Sequence, residues 1–321
     1  MYIMRICLIG PSGATIPPNG WGAVESLLWD YFVVLKKQHA HSVIYLTCPE
    51  NEMVHACNTY LPDIVYIMYD DYAYMSEKIT CKKVYFMSHY AYITSPQLTD
   101  TYKWYYDNIF MQAIQYQQFL TLNALSKDIA DVYRKHGFNG RINIIGNGAD
   151  DKSFHYTTAP TRGTQSIYVG KVEFRKRQYV YQNVPNLMFA GNYQDSDFDR
   201  STPNYLGEWK KHVLYESLTQ YGNLVLLSDG EADPLVVKEA LIAGLGVVVS
   251  ECASANLDRS KPFITIIPND KLTDINYVSA AIASNRKISL SMREDIRKYA
   301  LETFSWSVIV KRFLDVACGD E

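Results

Sequence analysis

Two glutamates, Glu231 and Glu239, are separated by seven residues in the stretch GEADPLVVKEALIAG, between the β-rich run NLVLLS and a helical pattern. Carboxylates accept charge-assisted hydrogen bonds from paired sugar hydroxyls, each worth roughly 1.5–3 kcal/mol net. Asp233 followed by Pro234 reads as a helix start, because aspartate accepts from the first free amides and proline at the first helical position has no N–H to lose. Gly244 reads as the terminator. The spacing predicts a helix from about Pro234 to Ala243, with Glu231 on the loop before it and Glu239 about a turn and a half inside it. A helix N-terminus holds phosphate through free amides and its dipole. One carboxylate would then lie beside an anion while the other reaches hydroxyls further along the same ligand. A diphosphate flanked by two sugars, a nucleotide sugar, matches that layout; taken alone, the spacing equally suits two solvated glutamates.

Such residues need a scaffold that brings strand ends and helix starts to one edge. In the first half MRICLIG, HSVIYLTC, DIVYIMY, KKVYFMSH and FLTLNALS are continuous apolar runs, the pattern of strands buried on both faces of a parallel sheet. Between the first two, AVESLLWDYFVVLKK places Val24, Leu27, Leu28, Tyr31 and Leu35 on one helical face. The stretch TTAPTRGTQ has little to bury and reads as a joint. Alternation then restarts with SIYVGKV, NLMFAGN, NLVLLS, GVVVSEC and FITIIP as strands and WKKHVLYESLTQY, PLVVKEALIA and REDIRKYALETF as helices. The expected class is α/β with two Rossmann-like doubly wound domains, 1–160 and 161–303, facing each other across a cleft, because ligands of such sheets sit at the carboxyl ends of the strands. A chain of 321 residues with 48% hydrophobic content is large enough for two cores. His89 stands at the carboxyl end of KKVYFMSH. It reads either as a satisfied strand-end histidine or as a group that donates a hydrogen bond to a sugar hydroxyl or an acceptor.

With these segments in place, the sequence resembles the retaining glycosyltransferases of GT-B fold, family 4 type. The family's glutamate, seven residues, second glutamate, then Ala, a bulky residue, a small residue and Gly are Glu231, ADPLVVK, Glu239 and ALIAG here. The resemblance implies that Glu231 lies near the donor sugar hydroxyls and that Glu239 binds the nucleotide ribose. PPNGWGAVES is similar to the family's glycine-rich loop, placing Gly20, Gly22 and Ala23 at a helix start facing donor phosphates and acceptor. FMSHYAY is similar to the segment whose histidine, His89, lines the catalytic centre, and YVGKVEFRKRQ to the motif whose cations, here Lys171 and Lys176, clamp the diphosphate. LSKDIADVYRKHGF and IIGNGADDKSF resemble the last helix and the Asn147–Asp150 turn of the first domain. ETFSWSVIVKRFLDV resembles the helix, 304–321, that crosses back to that domain. The implied activity is hexosyl transfer from a nucleoside diphosphate sugar, a UDP-sugar ahead of GDP-mannose, to a hydroxyl of a glycan, lipid or other acceptor. It implies an acceptor-binding first domain, a donor-binding second one, no metal and no covalent cofactor. His89, Glu231, Lys171 and Lys176 are the implied catalytic set. Arg177, Asp233, Leu235, Val236 and Glu239 join Gly20, Gly22 and Ala23 in donor binding.

Three departures from the family pattern bear on that reading. Lys171 replaces an arginine and loses its bidentate fork. Arg177 replaces a glycine, either supplying the missing guanidinium or standing as a solvated charge. Asp233-Pro234 replaces Phe-Gly, removing one amide and setting a carboxylate where a diphosphate would be repelled. Hence a catalytically weak sugar-nucleotide-binding protein and a sugar-nucleotide epimerase stay open as alternatives.

Other chemistries find little support. GPSGATIPPNGWG is too long and proline-rich for a dinucleotide fingerprint, and neither GxxxxGK[ST] nor HExxH occurs. His39 and His41 read as solvated in an exposed turn. A net charge of −3, spread along the chain, leaves no basic footprint for nucleic acid. The six cysteines form no CxxC pair, no apolar run approaches the ~18 residues of a membrane span, and MYIMRICLIG enters a strand without a leader pattern. The reading is a cytoplasmic protein with reduced thiols, with peripheral membrane contact left open. The tyrosine-rich stretch YITSPQLTDTYKWYYDN is expected to be a loop whose aromatics either stack on sugar rings or pack locally.

Overall fold

The computed structural model of the chain describes residues 3–18, 22–38 and 41–319. It divides into two compact units: 1–147 with 306–321, and 148–305.

The first unit is built on six parallel strands: β1 (Arg5–Ile9), β2 (Ser42–Leu46), β3 (Ile64–Ile67), β4 (Val84–Met87), β5 (Thr121–Ala124) and β6 (Ile142–Ile144). They lie in the order β2-β1-β3-β4-β5-β6. The order reverses between β1 and β3, which is where a doubly wound sheet opens a crevice at its carboxyl edge. The sheet is covered by the helix Ala23–Gln38 and by the last helix, Trp306–Cys318, which buries Trp306, Ile309, Val310, Phe313, Leu314 and Ala317 along one stripe. Phe313 stacks on Tyr66 at 4.7 Å between ring centroids, and Tyr31 meets both Tyr66 and Trp306 edge-on. Many of the tyrosines are therefore core residues; Tyr31, Tyr66, Tyr85 and Tyr133 are all fully buried.

The second unit carries five parallel strands, β7 (Arg162–Val169), β8 (Leu187–Ala190), β9 (Tyr221–Leu226), β10 (Gly246–Ser250) and β11 (Ile264–Ile267), in the order β11-β10-β9-β7-β8. Its reversal falls between β7 and β9. Both loops that leave this point, 170–177 after β7 and 227–234 after β9, carry charged residues singled out from the sequence.

Three expectations about elements change. The stretch TTAPTRGTQ is not a bare joint: β7 begins inside it at Arg162, paired with Tyr221 of β9. The 148–160 segment packs with the second unit, since Arg293 donates to the carbonyl of Thr157 and Ala149 N–H to that of Phe304. The tyrosine-rich stretch is mostly helical, with short helices Pro96–Thr99 and Lys103–Tyr105, a π-helix Tyr106–Phe110 and then Met111–Gln115. The helix Ile275–Ser291, capped by Asp274 on Tyr277 N–H, has no counterpart in the sequence reading.

Candidate active site

In the second unit the 170–177 and 227–234 loops are stitched together. Asp229 N–H donates to the carbonyl of Arg175 at 2.9 Å, and buried Tyr168 bridges them, donating to the Lys176 carbonyl at 2.6 Å and accepting from Leu227 N–H at 2.9 Å. Gly191, at the end of β8, lies against the start of the first loop: a Cβ there would come 1.9 Å from the Gly170 carbonyl oxygen. Beneath the second loop, Ser250 donates to the Ser228 carbonyl at 2.7 Å.

Glu231 is the focus of this assembly. One of its carboxylate oxygens receives Arg175 Nη1 at 3.1 Å, Lys176 Nζ at 3.5 Å and the Ser228 hydroxyl at 2.8 Å, and only 11% of its side chain is exposed. Burial alone would raise its carboxyl; Lys176, Arg175 and the Ser228 hydroxyl together outweigh burial and hold it below the ordinary glutamate range. Arg175 also donates to the Gly230 carbonyl and, at 2.6 Å, to Glu173, whose other oxygen lies 3.8 Å from Lys171 Nζ. Arg177, in the left-handed region at φ 53°, donates to Asp229 at 2.7 Å. It is neither a free guanidinium nor a solvated charge. Four cations thus face three carboxylates, Glu173, Asp229 and Glu231, leaving the cluster one positive charge in excess. Lys171 is the most open of them, with 45% of its side chain exposed.

The helix that follows runs Leu235–Ile242 with Pro234 as its N-cap, one residue later than expected. Asp233 does not cap it as the sequence suggested. Its carboxylate and the ammonium of Lys238 pair with neither side chain exposed, and Lys238 further approaches the Ala255 carbonyl and the Phe304 ring. The feared repulsion of a diphosphate by Asp233 therefore has no exposed carboxylate behind it. Leu235 and Val236 form the first turn, where α-helical amides lack intrahelical acceptors. Glu239 is the opposite of Glu231: among the described residues its carboxylate takes part in no hydrogen bond or ion pair. Burial, opposed by Lys211 and reinforced by Asp150, raises it to about 7.

In the first unit, Asp70, buried after β3, gathers the turn that follows β4: it accepts from the Ser88 hydroxyl at 2.6 Å, from His89 N–H at 2.8 Å and from Tyr90 N–H at 3.4 Å. Burial, partly offset by these donors, raises Asp70 to about 6. The turn fixes His89, whose ring is lowered to about 4 by burial in spite of the Met68 carbonyl it contacts. The imidazole is neutral at ordinary pH, and its buried Nε2 has no hydrogen-bond partner among the described residues. A neutral imidazole carries one donor and one acceptor nitrogen, so Nε2 is suited to exchange a hydrogen bond with a hydroxyl. Gly22 and Ala23 stand at the start of the helix Ala23–Gln38, where Gly22 O accepts from Ser26. Gly20 and His39 lie outside the described residues. His41 is buried, 9% exposed, where the sequence suggested an exposed turn; it lies just before β2, beside the Ser42 N–H that bonds to the Met4 carbonyl.

Within the second unit the structure thus brings together Lys171, Lys176, Arg177 and Glu231, with Arg175 and Ser228 added. Arg175 was legible only as part of a basic run, FRKR, in which nothing marks the residue that turns inward. Among the described residues no group of three or more His, Cys, Asp and Glu side chains is placed to hold a metal ion, and no helix is long and apolar enough to cross a membrane. All six cysteines are free thiols.

No family model and no curated protein matches the chain. Solved structures do match it in fold. HepE of Anabaena, solved with UDP-glucose, is similar with a TM-score of 0.70 over 98% of this chain and 100% of its own at 16% identity. Sucrose-phosphate synthase of Thermosynechococcus elongatus is similar with a TM-score of 0.74 over 98% of each chain at 12% identity. The lipopolysaccharide outer core galactosyltransferase WaaB is similar with a TM-score of 0.68 over 99% of this chain and 100% of its own at 15% identity. At these identities the likeness is one of fold, the GT-B pairing of two parallel-sheet, Rossmann-like α/β domains.

Proposed function

We propose that the protein is a metal-independent retaining glycosyltransferase that moves a hexose from a nucleoside diphosphate sugar to a hydroxyl acceptor. The observation that carries the reading is the convergence of Arg175 and Lys176 on Glu231 at the strand-order reversal of the second sheet, one turn of chain before a helix N-terminus. Departure of a diphosphate is the demanding step, and fixed cations aimed at the developing charge are the main aid a protein offers it. Lys171, Lys176 and Arg175, with the amides of Leu235 and Val236, supply that field; Glu231 orients the cations and accepts from the donor sugar. Glu239, whose carboxylate makes no hydrogen bond or ion pair among the described residues, accepts from the ribose hydroxyls. No side chain stands out as a nucleophile, which suits same-face substitution assisted by the leaving phosphate. The first unit binds the acceptor, with His89 exchanging a hydrogen bond with a sugar or acceptor hydroxyl.

HepE, solved with UDP-glucose, supports a UDP-sugar ahead of GDP-mannose as donor. Buried pairing of Asp233 takes its carboxylate away from the diphosphate, which favours catalysis over the alternative of a catalytically weak binding protein. The free thiols suit a cytoplasmic setting. Incubating the protein with UDP-, GDP- and ADP-sugars in the presence of a chelator, and following nucleoside diphosphate release and the anomeric NMR signal of the product, tests each part. Failure of every donor to bind or turn over would remove the proposal; an inverted product or a need for added metal would remove the corresponding clause.

A further inference from the structure

The first unit carries a row of aromatic rings that runs outward from Tyr72, a core residue only 4% exposed, to the open Trp104. Tyr69 and Tyr72, just after β3, meet edge-on at 5.0 Å; Tyr90, next to His89, lies 5.3 Å from Tyr105 at a shallow 35°; and Trp104 stands at 85° to Tyr105, 5.3 Å away. Tyr69 is also close enough to Tyr90 and Tyr105 to interact with them electrostatically, which places the two ring pairs in one neighbourhood. Its near end is tied to the loop after β1, where Ser12 N–H donates to the Tyr72 hydroxyl at 3.1 Å. The row therefore follows the carboxyl edge of β1, β3 and β4, where ligands of a doubly wound sheet sit.

We propose that this row is a carbohydrate platform, and that the acceptor is a neutral saccharide whose ring stacks on Tyr90 and Tyr105 against the wall of Trp104. The term acceptor rests on the function proposed above; saccharide binding itself does not. The π-helix Tyr106–Phe110 turns Ile109 and Phe110 into the core, where Phe110 packs on Tyr133 at 4.7 Å, and leaves Trp104 63% exposed on an anchored segment. The hydroxyls of Tyr69, Tyr90, Tyr102 and Tyr105 bond to no protein group among the described residues, so each ring offers an apolar face with a polar rim. A pyranose presents the same pairing, C–H groups on one face and hydroxyls around its edge. Charge argues against an anionic lipid or nucleic acid: the segment's lysine, Lys103, is paired with Asp107 at 2.9 Å, and Asp100 and Asp71 add negative charge.

Saturation-transfer NMR with neutral gluco-, galacto-, manno- and N-acetylgluco-oligosaccharides tests the platform in the absence of any nucleotide. At least one series should receive saturation on its ring protons. The W104A/Y105A variant should weaken that binding about tenfold or more while W104F stays within about threefold, and circular dichroism and UDP-sugar binding should match the parent. If no series binds, if W104A/Y105A binds as the parent does, or if the protein instead sediments with anionic phosphatidylserine vesicles through Trp104, the platform is wrong. Saccharide binding without any nucleotide-sugar binding would uphold the platform and overturn the donor reading.

Discussion

Asp233 and Lys238 form an ion pair with no solvent exposure on either side chain, within the loop and helix that carry Glu231 and Glu239. Moving two charges out of water is costly, and such a pair is held only when its partners satisfy each other. Removing Lys238 leaves the buried Asp233 carboxylate without its countercharge. Lys238→Met should therefore cost about 3–5 kcal/mol of unfolding free energy, whereas Asp233→Leu combined with Lys238→Met should recover most of that loss. Urea denaturation of both variants checks this. An unchanged midpoint for Lys238→Met would show that the pair does not hold the loop.

Glu239 leads to a pH signature. Its carboxyl is raised to about 7 in the fold against an ordinary 4.5, so the folded protein keeps a proton that the unfolded chain has released between these values. Stability from this group therefore falls as pH rises from 4.5 to 7, and Glu239→Gln should be more stable than the parent at pH 8 but not at pH 4.5. Ribose hydroxyls donate to the ionised form, so donor affinity should rise with pH, by up to about tenfold per unit well below 7, with release of a proton. Calorimetry in buffers of different ionisation enthalpy measures both. Equal, pH-independent affinity in the parent and in Glu239→Gln would count against Glu239 as a ribose ligand.

How much of this was legible in the sequence depended on whether the buried side was apolar. The strands of both sheets were readable because runs such as Ile64–Ile67 and Gly246–Ser250 are buried on both faces. The helix Ile275–Ser291 was not, because half of its buried stripe is Asn285 and Ser289; Asn285 donates to the Phe263 carbonyl at 3.0 Å and Ser289 to that of Gly222 at 2.5 Å. At the site, spacing singled out Glu231 and the family resemblance Lys171 and Lys176, but neither marked Arg175, which meets Glu231 from a separate loop, nor Asp70, which gathers the distant turn of His89. Asp233 misled as well: its local signature is a helix cap, whereas the sequence-distant Ala255 carbonyl and Phe304 ring help hold Lys238 where it becomes the ion-pair partner of Asp233 instead.

His89 and Asp70 titrate in opposite senses. His89, lowered from 6.5 to about 4, withholds a proton that the unfolded chain binds, so its contribution is lost as pH falls through that window. Asp70, raised from 3.8 to about 6, costs stability as pH rises through its own window. His89→Asn should therefore gain on the parent at pH 4.5 relative to pH 6.5. Asp70→Asn, which removes one acceptor from the Ser88–Tyr90 turn at a cost of about 1–3 kcal/mol, should lose more at pH 4.5. Urea midpoints at the two pH values decide; parallel curves for parent and variants would mean that neither group titrates as described.

Gly191 tests whether the geometry of the 170–177 loop depends on the neighbouring strand. A Cβ at this position meets the Gly170 carbonyl carbon at 2.5 Å as well as its oxygen, and neither is the end of a flexible side chain. Gly191→Ala must push 170–171 away from β8, and overpacking of this kind costs about 1–3 kcal/mol. Donor affinity should fall along with stability, measured by thermal shift and calorimetry on the same sample. A variant that loses stability but binds donor as the parent does would separate the loop from the site.

Arg175 is the sharpest test of the charge cluster, because its guanidinium joins Glu173, the Gly230 carbonyl and Glu231 in one plane of contacts that an ammonium does not reproduce. Arg175→Ala leaves Glu231 with Lys176 and Ser228 alone and withdraws one fixed positive charge from the developing diphosphate. Loss of one such group typically lowers kcat by about 10²–10³. Arg175→Lys keeps the charge but not the fork, so it should fall between parent and Arg175→Ala. Its donor Kd should change less than its kcat, because the diphosphate gains most charge in the transition state. Steady-state transfer rates with the donor identified by the nucleotide-sugar panel, compared with calorimetric Kd values for the three proteins, provide the measurement. A drop confined to Kd, with kcat intact in Arg175→Ala, would make Arg175 a ground-state binding residue and return the catalytic burden to Lys171 and Lys176.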